Sequence, residues 1–262
     1  MKRPANIALL CGAAAVILSC IIMLNLLKND TTMEILTGTY GGKIYRYSFD
    51  TESLEFTLLE NVGAENASYA IKDAGNIYAV SETGDASGAY SFSVGSQTAM
   101  TADKRQTGAD PCFIMKYDDR ILTADYSGGS VTVFPLIEGS LGDSIQKLDF
   151  QGSGPVEGRQ ESSHIHQLKT IPMTDWILAS DLGADKIRLL RFENGSLTHK
   201  GDIDCPAGSG PRHMEFGKDN KTLYCISELS GNVLVYSVNT NDIPEFILIQ
   251  EIQADEVNAG GS

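Results

Sequence analysis

The side chains in this chain of 262 residues with chemistry to offer are few and spaced. Two histidines stand two apart in Ser163-His164-Ile165-His166. A third follows an arginine in Gly210-Pro211-Arg212-His213. Glu82, Asp125, Asp181 and Glu228 each end an apolar stretch, and Arg159 shortly precedes the histidine pair. An imidazole can take a proton from water, a guanidinium can stabilise a developing oxyanion, and a carboxylate can hold a partner or pass a proton. Together they could supply a base, an oxyanion holder and a proton donor to one site. No motif indicates a nucleotide or redox cofactor, and no cofactor is expected. Asp181 and Asp185 are two carboxylates without further oxygen ligands, too few for a calcium site, so no metal is expected.

Each of these residues also has a structural reading. His164 or His166 could satisfy a backbone carbonyl at a strand start. Because the two alternate along a strand, only one should face a given side. Arg212 could simply pair with Glu228. Glu82, Asp125 and Asp181 recur at what reads as one repeat position, as a turn-former would. Arg159 could clamp an anionic substrate or be solvated. His199 reads as an exposed residue of a hairpin turn. Outside the N-terminal segment the cysteines are Cys112, Cys205 and Cys225. Their spacing fits neither a zinc site nor a disulfide framework, with a Cys205–Cys225 pair possible only for an exported domain.

The elements that must position these groups repeat. An apolar strand ends in an acid at Glu82, Asp125, Asp181 and Glu228, at intervals of 43, 56 and 47. An alternating strand follows each acid after a turn: 89–94, 131–136, 187–192 and 233–238, with an earlier copy at 44–49. Another precedes each acid: 68–72, 112–116, 164–169 and 212–216. A less regular fourth closes the unit at 56–59, 147–150 and 246–252. Four short strands per repeat, with period-2 alternation and Gly/Asn/Asp turns, predict an all-β fold of four-stranded antiparallel β-propeller blades. In such a blade the innermost strand starts, and the second strand ends, on one face, so these residues converge. The interval of 56 holds an insertion, 151–163, rich in Gly, Ser and Glu, of the kind that serves a site.

Six strings in register carry a family resemblance: Gly38-Thr39-Tyr40; Gly108–Cys112; Ala124–Leu136; Arg159-Gln160 with Ser163–His166; Asp181–Lys186; and Gly208–His213 with Ser227-Glu228-Leu229. They resemble the seven-bladed β-propeller lactonases, which include propeller-type 6-phosphogluconolactonases and carboxymuconate cyclases. The resemblance covers nearly all of residues 34–258. About five of seven blades are expected here, as in such a protein truncated before its sixth blade. Phe113 stands where the family often has His. The resemblance implies a hydrolase that opens a sugar-acid lactone, with 6-phosphogluconolactonase-type activity and with His164, Arg212 and Glu228 as catalytic residues. A second arginine of the family's site belongs to a blade beyond this chain. His166, Arg159, His213 and Asp181 are expected at the substrate. A small-molecule lactone is the expected partner; the alternative is a non-catalytic propeller binding module or an inactive truncated lactonase homologue.

With 34 acidic residues against 20 basic ones, a net charge of −14, nucleic acid is not an expected partner. The N-terminus carries its own signal. Met1-Lys2-Arg3 precedes 7–27, apolar but for Ser19 and Asn25. That run is long enough for the ~20 residues a bilayer requires. It predicts a hydrophobic helix, 1–30 serving as signal anchor or signal peptide, with the 31–262 domain exported. Cys20 loosely resembles a lipoprotein cleavage site, but apolar residues after it favour the anchor. Translation from Met33 would leave the domain cytoplasmic.

Overall fold

The structure is a computed structural model that describes residues 31–94, 104–240 and 242–254. The expected N-terminal helix lies outside the described residues. Among those described, no helix is long and apolar enough to cross a membrane.

Two compact units emerge: Met1–Ile35 with Arg46–Leu59, and Leu36–Tyr45 with Glu60–Ser262. The first sheet has the order β1 (Thr32–Thr37), β2 (Lys43–Asp50), β3 (Phe56–Gly63). Within the first unit, Phe56 packs against Phe49 at 4.6 Å between ring centres. Asp50 closes the turn that follows β2 by accepting from the Glu52 and Ser53 N–H groups, 2.9 Å each.

The second unit carries four further sheets. They are β4 (Ala70–Asp73), β5 (Asn76–Ser81), β6 (Gly88–Ser93) and β7 (Arg105–Gln106); β8 (Pro111–Tyr117), β9 (Arg120–Asp125), β10 (Ser130–Ile137), β11 (Ser140–Leu141) and β12 (Gln146–Asp149); β13 (Ile165–Thr170), β14 (Trp176–Asp181), β15 (Lys186–Glu193) and β16 (Ser196–Asp204); and β17 (Pro211–Phe216), β18 (Thr222–Ser227), β19 (Asn232–Asn239) and β20 (Glu245–Gln253). Consecutive strands pair antiparallel, except that both β11 and β12 pair with β10. Among the described residues of this unit, helix is confined to two single turns, Gly84–Ala86 and Leu182–Ala184. Sequence patterning located the second and third strands of each sheet closely. It missed β16, which holds His199; that residue is a strand residue, not part of a hairpin turn.

Each sheet is apolar on both faces, because period-2 alternation sends neighbours to opposite sides. Ile77 and Ala79 of β5 pack with Tyr90 and Phe92 on one face. Tyr78 and Val80 turn the other way, onto Ile114, Ile121 and Phe134 of the next sheet. The same alternation continues. Leu122 and Ala124 meet Ile165, Leu168, Ile177 and Ala179, while Leu178 meets Met214, Leu223 and Cys225. Each fully buried aliphatic or Phe side chain contributes roughly 1.5–3 kcal/mol. Face-to-face stacking therefore holds β4, β8, β13 and β17 side by side, with β13 touching both β8 and β17.

Candidate active site

The second strands end on Ser81, Asp125, Asp181 and Ser227, which are all at most 1% exposed. The next residues, Glu82, Tyr126 and Glu228, line a common cavity, whereas Leu182 at that place is buried. The acids of the repeat thus fall into two registers one residue apart. One residue is enough to turn a side chain to the other side of the strand. Asp125 and Asp181 point into the protein; Glu82 and Glu228 reach the cavity.

A second device acts on the innermost strands. The β8–β9, β13–β14 and β17–β18 pairings each carry a bulge, at Cys112, His166 and Arg212 respectively. A bulge leaves one residue unpaired and re-aims its side chain. All three bulged residues line the cavity, as does Ser68 two residues before β4. The four open the innermost strands in successive sheets.

The cavity holds about 450 Å³, a size that suits a small molecule. On one wall, Arg212 Nε donates to His166 Nε2 at 3.0 Å. The same nitrogen lies 2.8 Å from Glu228 Oε2, and Arg159 pairs with Glu228 Oε1. Arg159 also bonds Tyr126, and these two partners raise its pKa. Burial, with help from the Arg212 and His213 charges, drives the His166 imidazole down to about 3. His213, edge-on to His166 at 5.0 Å, is lowered for the same first reason. Elsewhere on the lining, Tyr40 donates to Glu82 Oε2 at 2.9 Å and Ser68 donates to Oε1.

Arg159 comes from the 151–163 insertion, which one buried side chain fixes. Gln160, 1% exposed, donates to Leu182 O and Asp185 Oδ1, both at 2.8 Å, and accepts from the Val156 N–H at 3.1 Å. Asp185 also accepts from the Gly208 and Gly210 N–H groups, at 2.7 and 2.8 Å. It thereby ties the loop that leads into Arg212 to the loop that carries Arg159.

His164, expected to be catalytic, is not on the cavity wall. Its ring stacks on Tyr126 at 4.5 Å, 8° from parallel, and its Nδ1 donates to Tyr126 O at 2.9 Å. It supports a residue that lines the site. The bulge gives the cavity to His166 instead.

Asp181, expected at the substrate, is wholly buried. Its Oδ2 accepts from Ser163 at 2.6 Å and from Arg188 Nη2 at 2.6 Å. Its Oδ1 accepts from the His164 N–H at 2.9 Å. No oxygen is left for a ligand or a cation. Asp125 is similarly caged by Thr123, Ser130, Thr132 and the Gly108 N–H. Cys205 and Cys225 are free thiols; Cys205 accepts from Tyr236 Oη at 3.3 Å. Phe113 is buried in the core and does not reach this cavity. Sequence reasoning did not single out Tyr40, Ser68, Asp110, Cys112 or Tyr126 as site residues. The aligned strand starts Ser68, Cys112 and Arg212 were the available signal.

Residues 34–262 match the family described as lactonase, 7-bladed beta-propeller. The 6-phosphogluconolactonase of Bacillus subtilis strain 168 is 32% identical over 232 residues, 83% of this chain and 65% of that protein. The chain thus spans just under two thirds of that relative's length. The crystal structure of a proposed 6-phosphogluconolactonase from Bacteroides fragilis NCTC 9343 superposes with a TM-score of 0.81 at 33% identity, covering 89% of this chain and 71% of that one. The periplasmic gluconolactonase PpgL of Pseudomonas aeruginosa superposes with a TM-score of 0.76 at 27% identity, covering 86% and 69%.

Proposed function

Since the chain belongs to the seven-bladed β-propeller lactonase family, we propose that it opens the ring of a sugar-acid lactone by hydrolysis. The observation that carries this reading is the Arg212 guanidinium, held by His166 and Glu228 on the wall of a small cavity. Both contacts use Nε. The terminal nitrogens are left to polarise a lactone carbonyl and to hold the oxyanion as it forms. Each Glu228 oxygen keeps a lone pair beyond its arginine contact and can take a proton from the attacking water. Water oxygen bonds to the carbonyl carbon, the ring C–O bond breaks, and the proton passes to the ring oxygen. The product is the open hydroxy acid.

Of the histidine pair, His166 lines the cavity. A neutral imidazole whose Nε2 is already engaged is a poor base. We assign His166 to positioning Arg212, with Arg159 steadying Glu228. The basic start and the apolar 7–27 run support export of the domain; fractionation of cells would test it.

The test is the purified full chain against a sugar lactone, with the spontaneous rate subtracted. Arg212→Ala should lower turnover by ~100-fold, as loss of one oxyanion donor does. A wild-type chain no faster than water removes the hydrolytic reading and leaves a binding module; an active wild type matched by Arg212→Ala removes Arg212 from the chemistry.

A further inference from the structure

The cavity has a second polar pole that the hydrolytic step leaves unused. Glu82 accepts from the hydroxyls of Tyr40 and Ser68, and no ion pair joins it to a cation among the described residues. Cys112 lines the same cavity, its thiol raised by burial first and by Glu82 next, against the lowering effect of Arg212. Asp110 adds a carboxylate to the same lining, with Oδ1 accepting from the Gly84 N–H at 2.8 Å.

The charge balance of this lining bears on what can bind. Among the described residues, three carboxylates, Glu82, Asp110 and Glu228, face two guanidiniums, and both guanidiniums pair with Glu228. A phosphate monoester brings roughly −1.5 to −2 charges at pH 7 and seeks arginine forks or lysines. Here it would have to share the Arg212 terminal nitrogens with the lactone carbonyl, close to the Glu228 carboxylate, or sit beside Glu82, whose charge no cation offsets among the described residues. A sugar hydroxyl, by contrast, is a donor that a carboxylate accepts and an acceptor that a phenol can serve. The two hydroxyls now on Glu82 already make that kind of contact.

We infer that Glu82, Tyr40 and Ser68 form a subsite for the hydroxyls of an uncharged, unphosphorylated sugar lactone, and that Glu82 disfavours the phosphorylated form. This rests on the hydrolytic reading above and names its substrate class.

The test compares kcat/KM of the full chain for glucono-1,5-lactone and its 6-phosphate, at low and high salt. Wild type should favour the unphosphorylated lactone by about ten-fold or more, and added salt should shrink that ratio. Glu82→Gln keeps the shape, removes the charge and should narrow the ratio several-fold through better use of the phosphate ester. Tyr40→Phe, at a residue 65% exposed and so tolerant of change, should raise KM for the neutral lactone with little loss of kcat. A wild type that uses the phosphorylated lactone equally well or better overturns the inference. So does a Glu82→Gln protein that hydrolyses both with an unchanged ratio. If Glu82→Gln does not fold, the wild-type ratio and Tyr40→Phe decide. Hydrolysis of neither lactone overturns the hydrolytic reading itself, a distinguishable result.

Discussion

Arg212 donates its Nε–H to His166 Nε2 at 3.0 Å, from one sheet to the next. An Nε2 that accepts must carry its ring proton on Nδ1. That Nδ1 is buried and has no hydrogen-bond partner, a situation that costs about 1–3 kcal/mol. The compensation is electrostatic order. A neutral ring fixes the guanidinium, and Glu228 neutralises it from the other side. Both bulged residues are needed, since each aims the other.

The first expected outcome concerns acid stability. The His166 pKa is depressed to about 3 in the fold, against about 6.5 unfolded. Above pH 6.5 both states are neutral and the group has no effect. As pH falls below 6.5 the unfolded chain takes a proton that the folded chain refuses. Stability is lost progressively down to about pH 3, on the order of a few kcal/mol. His166→Gln should flatten that slope in urea titrations at pH 7, 5 and 4. An unchanged slope would mean that His166 protonates normally in the fold.

Asp125 works with the opposite sign. Burial raises its carboxyl to about 6, against the lowering effect of the Thr132, Thr123 and Ser130 hydroxyls and the Gly108 N–H. Its unfolded value is about 3.9. As pH falls through 6, the folded state takes the proton first and gains stability, which is fully present below 3.9. Asp125→Asn should abolish that gain and cost about 1–3 kcal/mol at pH 7, because an amide nitrogen faces donors it cannot accept from. Thermal melts at pH 7 and 4.5 would separate the two effects. A variant whose melting temperature rises as much as that of wild type on acidification would reject the assignment.

Asp181 should behave as a structural residue. Its partner Arg188 is 4% exposed by side chain, and the pair closes at 2.6 Å. Removing Asp181 leaves the buried Arg188 to the less buried Asp202, at up to about 3–5 kcal/mol. Asp181→Ala should therefore lower the denaturation midpoint sharply while folded protein keeps its KM for lactone. A large change in KM with little loss of stability would restore Asp181 to the substrate.

The blade pattern was legible because alternation has a fixed period and each sheet buries apolar residues on at least one face. The site was legible only in part, for a reason of register. Glu82 and Asp125 look equivalent in the sequence, since each ends an apolar strand. A one-residue difference at the strand end sends one into the cavity and the other into a cage of hydroxyls. Likewise, nothing in Ser163–His166 says that a bulge falls on His166 rather than on His164. The bulge is set by pairing with β14, and pairing is a tertiary fact. Arg212 and Glu228 escaped the ambiguity because each is the one residue of its type at its turn. Tyr40 went unread as a site residue because its partner Glu82 lies 42 residues away.

The last expected outcome tests whether the insertion serves the site through one buried amide. Gln160 makes the bonds that hold the turn before Arg159: its Oε1 takes the Val156 N–H, and its Nε2 reaches Leu182 O and Asp185 Oδ1. Gln160→Ala would leave those groups unpaired, at about 1–3 kcal/mol, and would free the turn. Arg159 would then hold Glu228 for a smaller fraction of the time. Because Glu228 is the group that takes the proton from water, kcat should fall several-fold and KM should change less. Arg159→Ala should have the same signature. Because Gln160 acts only through Arg159 in this account, the double variant should be no worse in kcat than Arg159→Ala alone, a strong departure from additivity. Steady-state kinetics of the two single variants and the double variant read this directly. Fully additive effects would show that Gln160 supports the site by another route, most directly through Asp185 and the loop leading into Arg212.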